Sequence, residues 1–348
     1  MRTCTVFWIV PGNFLSEEDM NKIAVIGAGS WGSALASLLC KNGHDVILWS
    51  HRRSQVVEMV KTGVNDKLPG LRLPEGLKFT SDLKVAAEGK DLIVLAVPSV
   101  AERETARKLK PYLPAGQRII TVSKGIEDHT FYTQTEIVEE ELPEAKVGVL
   151  SGPSHAEEVI IGLPTLVVVG AKDEAFAKDA QQIFANESFR VYTSNDVLGI
   201  ELGASLKNVM ALAAGMSDGL GYGDNAKAAL ITRGIREMEK LAVAMGGNPE
   251  TLGGLTGVGD LIVTCQSQHS RNRKAGYYIG QGLKPEEAYD KVQMVVEGAY
   301  SAKAALGLGE KYHVDLPIIR GVNQVLFEEK DPKEAVYELM NRSLKPEM

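Results

Sequence analysis

From Asn21 onward, short apolar runs alternate with longer stretches in which apolar residues recur every three or four positions. The runs Lys22–Ile26, Asp45–Trp49, 91–97, 118–122, 146–150, 165–169 and 189–192 read as strands. Several are unbroken Val/Ile/Leu segments, the composition of strands that helices cover on both faces. Residues 31–42, 100–109 and 175–185 read as helices between them. Beyond about Asp196 the strand-like runs cease. The long stretch 226–245 carries Ile231, Ile235, Met238, Ala242 and Met245 on one helical face and stops at Gly246-Gly247. Pro285, Pro317 and Pro332 stand where first helical turns begin. The pattern predicts an α/β unit built on a mostly parallel sheet over residues 21–205, followed by an all-α domain over residues 206–348. With no Ser/Pro-rich linker, the boundary is expected inside a helix.

The turn after the first strand carries a specific signal. Gly27-Ala28-Gly29-Ser30-Trp31-Gly32 is a complete G-x-G-x-x-G between a strand and a helix. Alone that pattern is common, and it also fits a glycine-rich turn without a ligand; the strand–turn–helix context makes it a Rossmann-type dinucleotide site. Gly27 suits the tight turn, Gly29 lets the backbone approach a pyrophosphate, and Gly32 lets helix and strand pack closely. The N–H groups around Ser30 and Trp31 would hold the anion. An NAD-specific site usually ends its second strand on an acid. Here the strand runs into Ser50-His51-Arg52-Arg53, which suits a 2′-phosphate, so NADPH is expected over NADH.

Composition narrows the field further. The 348 residues allow two domains, and 44% hydrophobic content supports a buried core. A net charge of −7 argues against nucleic-acid binding, so any anionic ligand needs a local basic cluster. No window reaches the roughly 18 uninterrupted apolar residues of a membrane span. Cys4, Cys40 and Cys265 are scattered, which fits a reducing cytoplasm better than a disulfide framework or a zinc site. No His-rich or carboxylate spacing calls for a metal. Residues 1–20 hold an apolar run too short for a secretory segment and read as a disordered extension, with Met20 a candidate start.

Candidate chemistry lies in both halves. Lys124 and the run Ser151-Gly152-Pro153-Ser154 follow strands, and open α/β sheets bind ligands at strand carboxyl ends. Lys207 lies on a helical stretch with Gly203, Ala204, Met210 and Ala211 on its face, mostly small residues that suggest room for a ligand rather than a solvated surface lysine. Asp260 stands in a glycine-rich loop. Ser270-Arg271-Asn272-Arg273-Lys274 gathers a hydroxyl, guanidinium and amide suited to phosphate, or equally a solvated basic turn.

Taken in order, these runs resemble the bacterial NAD(P)-dependent glycerol-3-phosphate dehydrogenases from Met20 to about Leu344. The likeness rests on the glycine turn, Ser123-Lys124-Gly125-Ile126-Glu127, Leu150-Ser151-Gly152-Pro153-Ser154, Leu206-Lys207-Asn208-Val209, Gly259-Asp260-Leu261, Ser270-Arg271-Asn272-Arg273 and Val295-Val296-Glu297-Gly298. It implies reversible reduction of dihydroxyacetone phosphate to sn-glycerol 3-phosphate for phospholipid synthesis. Lys207 would be the general acid/base, assisted by Asp260 with Thr264 nearby. Lys124, Gly152, Ser154, Lys207, Asp260, Ser270, Arg271 and Asn272 would surround the substrate. Gly29, Ser30, Trp31, His51, Arg52, Lys124, Ala156, Arg271, Val295 and Glu297 would meet the cofactor. A homodimer is expected from apolar helix faces in the second half. Two other readings stay open on fold grounds: a hydroxy-acid or hydroxyacyl-CoA dehydrogenase, and an NADPH-binding redox sensor without catalysis.

Overall fold

The computed structural model describes residues 20–344, 346 and 347. The extension expected over residues 1–20 therefore lies, but for Met20, outside the described residues. Among the described residues, eight strands form one sheet in the order β3-β2-β1-β4-β5-β6-β7-β8. They are β1 Lys22–Ile26, β2 Asp45–Trp49, β3 Lys78–Thr80, β4 Leu92–Leu95, β5 Arg118–Thr121, β6 Lys146–Ser151, β7 Thr165–Ala171 and β8 Phe189–Ser194. Chain order reverses between β1 and β4, because β1 pairs in parallel with β2 on one side and β4 on the other. That reversal opens a crevice at the strand carboxyl ends, where such sheets take their ligands.

β1, β4 and β5 are apolar throughout their central residues because helices cover both faces. Leu35, Leu39 and Phe184 close one side of the sheet, while Ala106, Leu109 and Val138 close the other. Two details depart from the sequence reading. β3 is a three-residue edge strand that the hydropathy pattern did not show. β7 pairs antiparallel with β6, Leu150 opposite Val169, since the link between them holds only the five-residue helix Ala156–Ile160.

The second half is helical, and it is organised around Val197–Gly219, which starts three residues after β8 ends. This helix is apolar and long enough to cross a membrane, at a mean hydropathy of 1.4, but 89% of that window is buried within the protein. It is a core helix. Helix Arg271–Gly280 crosses it in backbone contact. A Cβ on Gly276 would lie 2.1 Å from the Leu212 carbonyl oxygen, and one on Gly215 would lie 2.0 Å from that of Arg273. Only glycine permits this approach, and it brings Asn272 to Asn208, to which it donates at 3.0 Å. Pro285, Pro317 and Pro332 each open a helix, as the sequence predicts.

Candidate active site

Each glycine of the first turn has a visible task. Gly27 sits at φ 122°, and a Cβ there would lie 2.5 Å from the Ala96 carbonyl oxygen at the end of β4. Gly32 packs so tightly that its Cβ would meet Gly27 O at 1.9 Å. Around Gly29 there is no protein atom for a Cβ to meet. Helix Ser30–Lys41 begins there with neither a side-chain cap nor an acid in its first turn. An open, uncapped, positive helix end fits a pyrophosphate.

Beside this turn, the segment after β2 is pinned from within. Ser50 Oγ donates to Gln55 Oε1 at 2.7 Å, and Gln55 Nε2 donates to Ala28 O at 3.0 Å. His51 and Arg52 are exposed. One neighbour was not visible in the sequence: Asp66 approaches Arg52 Nη2 to 3.7 Å. The strand end lacks an acid of its own, but the fold brings one in from the following loop.

Three distant segments meet at the other side of the crevice. Lys207 Nζ donates to Asp260 Oδ1 in a very short contact, and to Thr264 Oγ at 2.9 Å. Lys124 Nζ donates to the second oxygen of Asp260 at 2.8 Å and reaches Gly152 O at 3.4 Å. Asp260 opens its helix after the tight turn Leu255–Gly259, where a Cβ on Gly257 would lie 1.9 Å from Leu252 O. Lys207 and Asp260 are 6% and 1% exposed, so water does little to screen them. Burial is the main force on Lys207 and lowers its pKa to about 7; Lys124 pushes the same way, and Asp260 resists. For Asp260 burial favours the neutral acid, but Lys124 and Lys207 override it and hold the carboxyl below its usual range.

The remaining predicted residues divide by position. Arg271 starts its helix behind the Ser270 cap, whose hydroxyl accepts from Arg273 N at 3.2 Å. Burial lowers the Arg271 pKa, while Glu297 and Glu157 support the charge. Glu297 accepts from the Ser99 amide at 3.2 Å and from its hydroxyl in a very short contact, tying the helical half to the end of β4. Burial raises the Glu297 pKa against the pull of Ser99 and Arg271. Val295 is half-buried just ahead of that helix, and Ala156 is buried at the start of its own. Ser154 Oγ donates to Gly152 O at 3.0 Å.

Two expectations need amending. Gly203 does not leave room for a ligand: a Cβ there would lie 2.4 Å from Thr256 O, so the small residue admits the loop carrying Asp260. Ala204, Met210 and Ala211 are likewise core residues. Asn272 is largely engaged, donating to Asn208 Oδ1 at 3.0 Å and accepting from Gly298 N at 2.8 Å. One amide hydrogen remains for a ligand. The sequence also gave no notice of His155, whose Nε2 is buried without a partner; burial and then Lys207 lower its pKa.

These pieces are joined by a continuous chain of contacts. Gly27 touches β4 at Ala96, a Cβ on Gly125 would lie 2.5 Å from Ser99, and the adjacent Lys124 reaches Asp260 and thereby Lys207. A glycine turn for a dinucleotide and a buried ammonium share the carboxyl ends of β1, β4 and β5. Fold and site define a two-domain NAD(P)-dependent dehydrogenase.

Comparison with known proteins gives the family. Residues 22–177 match the model of the NAD-dependent glycerol-3-phosphate dehydrogenase N-terminus, and residues 196–337 match that of the C-terminus. A glycerol-3-phosphate dehydrogenase (NAD(P)+) of Agathobacter rectalis is 59% identical, the match covering 94% of this chain and 98% of that protein. One from Fusobacterium nucleatum subsp. nucleatum is 55% identical over 94% of this chain and 99% of its own length. The solved glycerol-3-phosphate dehydrogenase of Coxiella burnetii superposes with a TM-score of 0.90 at 42% identity, covering 93% of this chain and all of the other. The chain belongs to the NAD-dependent glycerol-3-phosphate dehydrogenase family.

Proposed function

We propose that this protein reduces dihydroxyacetone phosphate reversibly to sn-glycerol 3-phosphate, with Lys207 as the proton donor and NADPH as the preferred cofactor. The observation that carries this reading is the buried ammonium of Lys207, held between Asp260 and Thr264 with a pKa of about 7. A donor matched to working pH transfers its proton most effectively. The bound nicotinamide would supply the hydride. Lys207 would then stabilise charge growing on the C2 oxygen and protonate it. Asp260 holds the ammonium in place, and Lys124 completes the positive wall. Ser270, Arg271 and the free amide hydrogen of Asn272 suit the phosphate, with Gly152 and Ser154 beside it. Gly29, Ser30, Trp31, Ala156, Val295 and Glu297 would line the dinucleotide.

The same cluster speaks against a redox sensor that does no chemistry. Burying the charged pair Lys207 and Asp260 is costly and rarely adds stability, so a protein that only binds NADPH would have no use for it. We further propose a cytoplasmic location and a homodimer, the latter supported by the exposed Tyr222, Tyr337 and Met340 around one groove. The test is oxidation of NADPH and of NADH followed by absorbance, with and without dihydroxyacetone phosphate. Cofactor oxidation that does not depend on this substrate would overturn the reading.

A further inference from the structure

One fully buried acid takes no part in the chemistry above. Glu102 opens helix Glu102–Leu109, and its carboxyl meets the end of β5 at Thr121 and Ser123. Thr121 Oγ donates to Oε1 at 2.6 Å, and Oε2 lies 2.8 Å from Ser123 Oγ. Ser123 Oγ also lies 2.6 Å from the carbonyl oxygen of Val97, and the Ser123 amide donates to Thr121 Oγ at 3.3 Å.

Counting hydrogens fixes the state of this group. A carbonyl oxygen can only accept, so the single hydroxyl hydrogen of Ser123 must lie on the line to Val97. Ser123 then has none left to give Glu102, and the contact at Oε2 needs a hydrogen from the glutamate itself. We propose that Glu102 is held as a neutral carboxylic acid and in that form is a positioning residue for Lys124. The acid closes a ring in which every polar hydrogen has an acceptor: Ser123 N–H to Thr121, Thr121 O–H to Glu102, Glu102 O–H to Ser123, and Ser123 O–H to Val97. The ring ties β4 to β5 at the residue before Lys124. The inference rests on the proposed function in one respect, that Lys124 helps to hold the substrate against Asp260.

The surroundings agree with the hydrogen count. Burial favours the neutral acid first of all, and the hydrogen bond that Thr121 donates to Oε1 opposes it. The charged groups that weigh on it are Glu201 of the central helix and Glu297 of the helix Glu297–Lys311, both acids and both raising the pKa. Its neighbour Arg103 is engaged with Glu127, Glu140 and Glu141 instead. The first turn of its own helix favours a negative charge. Burial prevails, and the pKa reaches about 8.

Ionisation would break the ring at a defined place. Without its proton, Oε2 faces a lone pair of Ser123, and the serine hydrogen must leave Val97 to meet it. A buried carbonyl is then unpaired, and the loop carrying Lys124 loses its anchor. Substrate affinity should fall as pH rises through about 8. Stability should fall too: the folded pKa lies above the ordinary 4.5, so the unfolded chain releases a proton that the folded chain keeps, and folding weakens between those values.

The test compares full-length wild type with Glu102→Gln and Glu102→Asp. Glutamine keeps one donor and one acceptor but cannot ionise; aspartate keeps the acid but is too short to close the ring. At neutral pH the infrared difference spectrum of wild type against Glu102→Gln should contain the carbonyl band of a protonated carboxylic acid. Between pH 7 and 9 the KM for dihydroxyacetone phosphate should rise about tenfold more in wild type than in Glu102→Gln, the size of one buried hydrogen bond. Glu102→Asp should show the raised KM already at pH 7. Absence of the infrared band would sink the neutral acid, and coincident pH profiles of wild type and Glu102→Gln would sink the positioning role. A chain that fails to turn over dihydroxyacetone phosphate would defeat the proposed function, while the infrared band and the pH dependence of Tm would still decide the state of Glu102.

Discussion

Two clusters meet on the central helix, each an aspartate flanked by two cations. On the side of the proposed substrate site, Asp260 bridges Lys124 and Lys207. At the far end, Asp218 bridges Lys227 at 2.8 Å and Arg273 at 2.5 Å. Their burial differs. The side chains of Asp260 and Lys207 are 2% and 7% exposed, whereas those of Asp218, Lys227 and Arg273 are 11%, 19% and 19% exposed. In the drier cluster, loss of hydration makes a lysine proton easy to remove, and the pKa of Lys207 falls to about 7. The wetter cluster joins three helices, Val197–Gly219, Asp224–Ala244 and Arg271–Gly280. A charge constellation becomes acid–base chemistry through burial and position.

Lys207→Ala should break that contrast most severely. Turnover should fall by about 10²–10⁴-fold, the range for loss of a positioned proton donor, while NADPH still binds. Substantial activity in this variant would remove Lys207 from its role. Asp260→Asn should cost less, about 10²-fold, and should also move a pH profile in a stated direction. Asp260 resists the lowering of the Lys207 pKa, so its loss lets that pKa drop further below 7. Carbonyl reduction needs the protonated lysine and should fade at lower pH in the variant; alcohol oxidation needs the free amine and should rise at lower pH. Profiles that stay in place or shift upward would refute the electrostatic account.

Asp218→Asn is the matched control at the other end. It leaves Lys227 and Arg273 facing each other with partial access to water, so a loss of about 1–3 kcal/mol is expected, below the full penalty for breaking a buried pair. Tm should fall while kcat changes by less than about threefold, since no transition-state contact is removed. A collapse of kcat at unchanged Tm would mean that the second cluster is not the structural clasp it resembles.

The two clusters also differ in how far a sequence can show them. Lys207 and Asp260 were legible because they stand in distinctive runs, and the resemblance supplied their roles. The glycine turn was legible because its physics is local: φ 122° at Gly27 and the tight contact at Gly32 are backbone requirements written as glycines. Asp218 attracted no notice, as nothing local marks a helix-end aspartate whose partners arrive from two other helices. Glu102 falls inside the helical stretch 100–109, beside Arg103 and Glu104, with no local feature to single it out. Its burial is set by the ends of β4 and β5, and no spacing along the chain records it. Edge strand β3 was missed for a related reason, being three residues of Lys-Phe-Thr with no hydrophobic period to detect.

The smallest expected effect concerns the exposed cations at the end of β2, and Asp66 makes it sharper. Replacing His51 and Arg52 with neutral residues should raise the KM for NADPH over that for NADH by about threefold to tenfold, modest because exposed charges are well screened. Arg52 is already shared with Asp66 at 3.7 Å. A 2′-phosphate must therefore compete with a carboxylate that belongs to the protein. Asp66→Asn should act in the opposite sense, freeing Arg52 and raising the preference for NADPH by about twofold, with the gap closing at high salt. Opposite movements in the two variants would place the 2′-phosphate at this corner. If both variants shift the ratio the same way, or neither does, the cations after β2 do not read the cofactor, and its choice must be made elsewhere in the crevice.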